Sequence, residues 1–331
     1  MQILVTGGAG YIGSVLIRHL LKKGYNVKCL DRFFFGKESL VDVSANPSLE
    51  LIEDDIRWFD PDLLNGVDAV IDLAALSNDP SGELDQQMTL DINYKGRARV
   101  AALSKKYGVK QYVLASSCSI YGFRDELVNE TTSANPLTTY AKANFMAEND
   151  VLSLADSKFT VTALRFATVY GFSQRMRFDL ALNGMMLGLF KNKKIPLMRD
   201  GRQWRPFIHI NDVARAYSAV IENPHDAING QIFNVGSDEQ NYKLFDLAKI
   251  IGDSINSAYE IEWYGPVDHR SYRVSFKKFH DVLKFDASHS PKEAAVEIYN
   301  ALKDGRLIDS PKTYTVNWYK HLLTEYNLMK L

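Results

Sequence analysis

The sequence is poor in cysteine: Cys29 and Cys118 are the only two among 331 residues. Two thiols build no disulfide framework, and no Cys-x-x-Cys pair exists to hold a structural zinc. An excess of one charge sign is also lacking. Lysine and arginine number 39 against 40 acidic residues, for a net charge of -1. That removes the bulk attraction that draws basic proteins to nucleic acid or anionic membranes, so neither partner is expected. Any phosphate must then be held by a local site. Long apolar runs are missing too, and none approaches the ~20 residues of a spanning helix. The seven histidines show no metal-ligand spacing, and no metal is expected. Met1–Thr6 is a short apolar run that meets glycines at once without a basic start. No secretory leader is therefore expected, and the expected location is the cytoplasm.

What is present is an ordinary globular composition, 46% hydrophobic and 24% charged, on a chain long enough to bury a large core. The first half alternates strand and helix patterns. Strands are predicted at Gln2–Thr6, Asn26–Asp31, Leu49–Ile52, Asp68–Leu73, Gln111–Ala115 and Phe159–Phe166. Helices are predicted at Tyr11–Lys23, Gly82–Tyr107 and Thr139–Leu154, the first two each closed by a glycine. Short apolar strands separated by helices predict an α/β fold with a doubly wound parallel sheet of the Rossmann type. The second half changes character, with a helical stretch across Gly171–Gly201 and shorter pieces at Phe207–Ile210, Asp212–Glu222, Gln231–Val235, Lys243–Ile255 and Tyr259–Trp263. The expected division is a dinucleotide-binding domain over 1–170, with segments of roughly 206–236 returning to it. A smaller C-terminal α/β substrate lobe is expected over 171–331.

Gly7-Gly-Ala-Gly10-Tyr-Ile-Gly13 follows the first strand and opens the first helix. Glycines there let the backbone turn tightly and approach a pyrophosphate, while the helix start offers free N–H groups and partial positive charge. Gly7, Gly10, Tyr11, Ile12 and Gly13 are thus cofactor-binding candidates. Asp31 ends the second strand 18 residues beyond Gly13. A carboxylate at that place accepts hydrogen bonds from ribose hydroxyls and repels a 2′-phosphate, which favours NAD over NADP. Arg32 beside it is the residue that would hold such a phosphate. Asp55 and Ile56, after the third strand, are candidates to flank the adenine.

Several further stretches carry a family resemblance across nearly the whole chain. They are Leu73-Ala-Ala75, Asn93-Tyr-Lys-Gly96, Ser116-Ser-Cys-Ser-Ile-Tyr-Gly122, Tyr140 with Glu148, Leu164-Arg-Phe-Ala-Thr-Val-Tyr-Gly171 and Arg205-Pro-Phe-Ile-His-Ile-Asn-Asp-Val-Ala214. With the glycine turn, they resemble the extended short-chain dehydrogenase/reductase family, in particular its nucleotide-sugar epimerases, dehydratases and reductases. The resemblance implies that Tyr140 is the acid/base at a sugar hydroxyl and that Ser117 hydrogen-bonds the same oxygen. Hydride leaves a carbinol only as its hydroxyl proton is removed, so base and nicotinamide must converge on one carbon. It adds Leu73, Ala74, Ala75 and Asn93 to the cofactor set. Leu76, Ser77 and Asn78 would line the sugar, and Arg205 and Arg270 would clamp a diphosphate by bidentate guanidinium pairing. Thr168 and Asn183 are further candidates for phosphate or base contacts. A homodimer through the two long helices is implied as well.

One position departs from the family pattern. A lysine is expected four residues after the tyrosine, but the run is Tyr140-Ala-Lys-Ala-Asn144. Lys142 lies about 200° around the helix from Tyr140 and faces away. Asparagine can hold the nicotinamide ribose, but it carries no charge to lower the tyrosine pKa, so Tyr140 is expected to be a weaker base. Cys118-Ser119 stands where the 4,6-dehydratases carry an Asp-Glu pair, which argues against dehydration. The resulting expectation is an NAD-dependent nucleotide-sugar 4-epimerase working through transient C4 oxidation. The alternatives are a C4 dehydrogenase or 4-ketoreductase, and a catalytically impaired NAD- and nucleotide-sugar-binding protein.

Overall fold

The computed structural model describes residues 1–268 and 270–326. The end of the expected C-terminal lobe, 327–331, and His269 within the Arg270 segment lie outside the described residues.

Seven parallel strands form the central sheet: β1 (Gln2–Thr6), β2 (Asn26–Asp31), β3 (Leu49–Glu53), β4 (Ala69–Asp72), β5 (Gln111–Ser117), β6 (Thr160–Phe166) and β7 (Gln231–Val235). Their order is β7-β6-β5-β4-β1-β2-β3. The chain thus winds outward from β1 in one direction to β3 and in the other to β7, the doubly wound arrangement. Alternate residues of β1 face opposite layers. Ile3 and Val5 join one apolar cluster, and Leu4 joins the other. Both faces are buried, which is why the strand reads as an unbroken apolar run rather than an alternating one. On one side α1 (Tyr11–Lys22) packs against α4 (Ile210–Ile221). The other side is covered by α2 (Arg97–Lys106) and α3 (Thr139–Leu152).

The expected helix over Gly82–Tyr107 is not continuous. It is built from Asp79–Gly82, Gln86–Leu90, a wide π-type turn at Asp91–Gly96, and α2. Asp85 restarts the helix by accepting from the Met88 amide at 2.9 Å, a capping signal inside an otherwise helical pattern. The expected helix across Gly171–Gly201 shrinks to Ala181–Asn192. Lys193 ends it in the left-handed region (φ 57), and Lys194–Met198 then pairs as a strand with Glu260–Tyr264.

The smaller lobe packs Ala181–Asn192, Leu244–Ser254 and Pro291–Lys303 around a third apolar cluster. Pro291–Lys303 starts at a capping box in which Ser290 and Glu293 satisfy each other's backbone amides. Segments from the second half return to the Rossmann half. Residues 210–235 supply α4 and β7, and Thr315–His321 lays Tyr319 into the cluster of Val70 and Tyr112. The lobe is therefore sewn to the sheet domain at several places.

A buried ion pair fixes α3 to the sheet. Glu148, 1% exposed, accepts from Arg165 of β6 through Nη2 at 2.7 Å and Nε at 3.0 Å, and also from the Ser116 hydroxyl. Removing one partner leaves the other charge buried and alone, which costs about 3–5 kcal/mol. Glu148→Ala is expected to lose that much in a urea unfolding measurement. A loss below about 1 kcal/mol would show that the guanidinium finds water instead.

Candidate functional site

A cleft of about 360 Å³ runs along the carboxyl ends of the parallel strands, between the sheet domain and the lobe. Ligands of doubly wound folds bind at this edge. Gly7, Gly10, Tyr11, Ile12 and Gly13 form one end. Gly7 has φ +67, and a Cβ there would lie 2.9 Å from the Ala74 backbone; at Gly13 it would lie 2.5 Å from the Gly7 carbonyl oxygen. The turn is therefore closed to any side chain at these positions. Gly10 caps α1 without a side-chain bond, and no acidic residue occupies the first turn. The helix start thus keeps its amides and partial positive charge for an anion. This cradle fits a dinucleotide pyrophosphate.

Asp31, at the end of β2, accepts from the amides of Ala9 at 2.9 Å and Phe33 at 2.7 Å. Burial pushes its carboxyl above the usual range, while those two amides and the nearby Arg175 pull it back. Its cleft position leaves it able to accept ribose hydroxyls. Arg32 turns toward Asp55 at 3.9 Å and over the rings of Phe34 and Trp58. Asp55 and Ile56 line the same end. Of the Phe33-Phe-Phe35 run, Phe34 and Phe35 face the cleft, and Phe35 packs edge-on to Tyr319, which also lines it.

Leu73, Ala74 and Ala75 form the floor after β4. Their turn is set by the Thr6 hydroxyl, which accepts from the amides of Leu73 and Ala74 at 3.1 Å each. Asn93 does not reach the cleft as the sequence led us to expect. It is fully buried, and its amide makes a two-bond clasp with the Leu76 backbone at 2.8 and 3.0 Å. Its work is to hold Leu76 in place.

Tyr140 opens α3 behind the Thr138 cap, whose hydroxyl oxygen accepts from the Ala141 amide at 3.2 Å. Its phenol faces the cleft together with Ser117, Ser119 and Asn144. Burial raises the phenol's pKa and the charge of Asp79 raises it further, while Arg97, Asn144 and Ser117 act to lower it. Cys118 turns into the core, 1% exposed, while the Ser119 hydroxyl stays buried at the cleft wall without a protein partner. Neither supplies the carboxylate that water elimination needs.

Arg205 lines the far end. Arg270 does not line this cleft as expected; with Asp268 it lines an adjoining surface depression, and it meets Arg205 through Asp268. Arg205 Nη2 reaches Asp268 Oδ2 at 2.9 Å, and Arg270 donates to both carboxylate oxygens at 2.9 Å. Burial works against the Asp268 charge, but the two guanidiniums hold its carboxyl below the usual range. Arg270 also bridges to Asp79 Oδ2 at 2.7 Å, joining the lobe to the sheet domain across the cleft. Leu76, Ser77 and Thr168 line the middle. Asn183 does not; its amide is consumed by the Gly171 amide, the Tyr11 hydroxyl and the Arg177 carbonyl at 3.0–3.1 Å. Asn183 therefore pins the glycine turn to the lobe instead of offering a contact.

The cleft is also lined by residues not anticipated from the sequence. Arg175 is stacked 3.5 Å above the Phe35 ring, and burial lowers its pKa to about 10. Arg177 bonds Asp179 at 2.7 Å and Ser77 at 3.1 Å. Both belong to the Arg-x-Arg-x-Asp run 175–179, whose charge density inside an apolar neighbourhood is the signal that pointed to them. Arg97, Asp79 and Tyr272 carry no local signal.

The profile of the NAD dependent epimerase/dehydratase family matches residues 3–236. The chain belongs to this family. Among its relatives is the uncharacterized UDP-glucose epimerase YtcB of Bacillus subtilis, 30% identical over 251 residues that cover 72% of this chain and 78% of that protein. The UDP-glucose 4-epimerase of Lactobacillus helveticus is 27% identical over 268 residues, 75% of this chain and 81% of that one. A solved structure, MoeE5 in complex with UDP-glucuronic acid and NAD, superposes with a TM-score of 0.82 at 26% identity, covering 92% of this chain and 100% of its own.

The raised pKa of Asp31 has a consequence for cofactor binding. A raised value means that protons are taken up above the ~3.9 of a free aspartate, and the acid form loses acceptor capacity. NAD affinity in a fluorescence titration is expected to fall as pH is lowered, beginning above the ~3.9 of a free aspartate, and Asp31→Asn should flatten that fall. An affinity independent of pH would contradict this placement.

Proposed function

We propose that this protein is an NAD-dependent UDP-sugar 4-epimerase that acts through transient oxidation at C4. The observation that carries the reading is the meeting of Tyr140, Ser117, Arg205 and the glycine cradle in one cleft, with Arg270 adjoining Arg205 through Asp268. Gly7, Gly10 and Gly13 would seat the pyrophosphate, Asp31 the adenosine ribose, and Leu73–Ala75 the nicotinamide side. NAD, when bound, would supply the hydride acceptor and donor that oxidation and re-reduction at C4 require. Tyr140 takes the C4 hydroxyl proton at its phenolic oxygen and later gives it back. Ser117 hydrogen-bonds the same oxygen and fixes its distance from the phenol. Arg205 and Arg270 would hold the nucleotide diphosphate while the 4-keto sugar turns over, so that hydride meets its other face. The absence of carboxylates at 118 and 119 keeps the reaction from diverting into water loss.

The same reading includes a homodimer. Leu90, Tyr94, Ala98 and Ala102 recur every fourth residue as a part-exposed stripe, beside Met146 at 39% exposure on α3. Two copies of this face would bury it. Among the described residues no helix is long and apolar enough to cross a membrane. A cytoplasmic setting suits two free, buried thiols.

With a panel of UDP-sugars, the C4 epimer is expected to form without stoichiometric NADH. Tyr140→Phe is expected to lower turnover by about 10²–10⁴ while leaving NAD bound. NADH accumulating one for one with sugar would instead make the protein a dehydrogenase. Binding without turnover of any UDP-sugar would leave the impaired-protein reading that Asn144 suggests. Light scattering should give twice the chain mass, and a monomer would remove the dimer from this account.

A further inference from the structure

We propose that Arg97 takes the place of the missing family lysine, stabilising the Tyr140 phenolate by its charge and through the Asn144 amide. The proposal rests on the reading of Tyr140 as the acid/base.

Arg97 is 1% exposed, and burying a guanidinium costs several kcal/mol unless it is well paired. A second buried arginine shows what good pairing looks like: Arg165 makes three bonds of 2.7–3.1 Å to the Glu148 carboxylate. Arg97 has no such partner. The nearby carboxylate is Asp72, but its Oδ1 accepts from the Thr6 hydroxyl and its Oδ2 from the Tyr112 hydroxyl. The closest approach is 3.6 Å, from Arg97 Nε, which has no hydrogen-bond partner. The remaining donors go to the Asp72 and Ala115 carbonyls and, at 2.8 Å, to Asn144 Oδ1. Much of the cation's field is thus left to act on the cleft wall, where Arg97, Asn144 and Tyr140 lie together.

The orientation of Asn144 follows from chemistry. A guanidinium only donates, so Oδ1 must face Arg97 and Nδ2 must point the other way. Nδ2 donates to the Tyr140 carbonyl at 3.1 Å, and the amide shares the cleft wall with the phenol, where its N–H favours the phenolate. An amide whose oxygen is bonded to a cation is a stronger N–H donor. A lysine at 144 would set an ammonium against the guanidinium inside the same buried space.

Other charges face the phenol from the elements packed on α3. Asp79 opposes the phenolate, but Arg270 and the Thr138 hydroxyl share its carboxylate at 2.7 and 2.6 Å. Glu83 accepts from the Thr139 amide at 2.7 Å on the solvent side, near Lys142. Glu148 and Arg165 cancel further along the helix. Tyr217, fully buried, lies on the inner side as a neutral phenol. Arg97 is the inward-facing cation that acts on Tyr140.

The test follows the ionisation of Tyr140 by NMR of protein labelled with ¹³C at tyrosine Cζ, with Tyr140→Phe to assign the signal and NAD kept at saturation. Arg97→Met is expected to raise the Tyr140 midpoint by about 1 unit or more, because an opposite charge at this range is worth ~1–3 units. Arg97→Lys should keep most of the native value. Adding Asn144→Lys to Arg97→Met should bring the midpoint back and move the rising limb of the pH–rate profile, which reports the base, with it. Asn144→Lys alone should lower the apparent Tm, through like-charge repulsion. If Arg97→Met does not fold, Asp72→Asn removes the stranded carboxylate, and the Asp72→Asn/Arg97→Met pair is compared with Asp72→Asn. An unchanged midpoint in these folded variants, or a shift that Asn144→Lys does not reverse, would overturn the proposal. Because the titration needs no turnover, a protein inactive on every UDP-sugar would sink the epimerase reading and still decide this one.

Discussion

The buried carboxylate of Asp72 organises the middle of the molecule. It ends β4 with no exposed surface, held by the hydroxyls of Thr6 from β1 and Tyr112 from β5. Three adjacent strands therefore share one charge. Thr6 uses its remaining capacity to shape the turn at Leu73 and Ala74, which becomes the cleft floor. Arg97 is drawn inside because Asp72 is there, and through Arg97 the constraint reaches Asn144 and Tyr140. Buried charges are costly, so a network of this kind is stable only when almost every member is satisfied. The Arg97 Nε is the exception, left without a hydrogen-bond partner beside Asp72.

A second constraint joins the lobes. Tyr11 sits within the glycine turn, yet its ring belongs to the lobe's core and its hydroxyl donates to the Gly171 carbonyl at 2.7 Å. Ser14 and Ser173 bond side chain to side chain at 2.9 Å beside it. The glycine-turn end of the cleft is thus shared by both halves. At the other end the join is a set of charged side chains, Arg270 to Asp79 and Asp268. Those same groups are the ones a diphosphate would recruit. The cleft is therefore fixed at the glycine turn and held by exchangeable ion pairs at its other end.

Much of this was legible in the sequence where the signal is local. The strands at Gln2–Thr6 and Asn26–Asp31 and the glycine turn between them follow from runs of adjacent residues, as does the doubly wound sheet. The resemblance supplied Tyr140 and Ser117, which the fold brings into one cleft with the glycine turn. Positions decided by distant partners were harder. Arg97 reads as a solvated residue within a helical pattern, and only Asp72, 25 residues away, explains its burial. Asn93 and Asn183 carry the right chemistry for ligand contact, but their amides are spent on backbone groups that sequence spacing does not reveal. The 82–107 stretch looked continuous because Asp85 and the wide turn at Asp91–Gly96 interrupt the helix without a proline, and Gly96 falls inside an otherwise helical run. Pro291–Lys303 was not anticipated, although Ser290-Pro-Lys-Glu293 spells the capping box that starts it.

Transient oxidation makes one demand that no alternative shares: the hydrogen removed from C4 must return to C4 without meeting solvent. The direct measurement is NMR of a UDP-sugar equilibrated with the protein in D₂O. The account predicts a mixture of C4 epimers with no deuterium at C4. Deuterium at that carbon, or at C5 with loss of water, would contradict it.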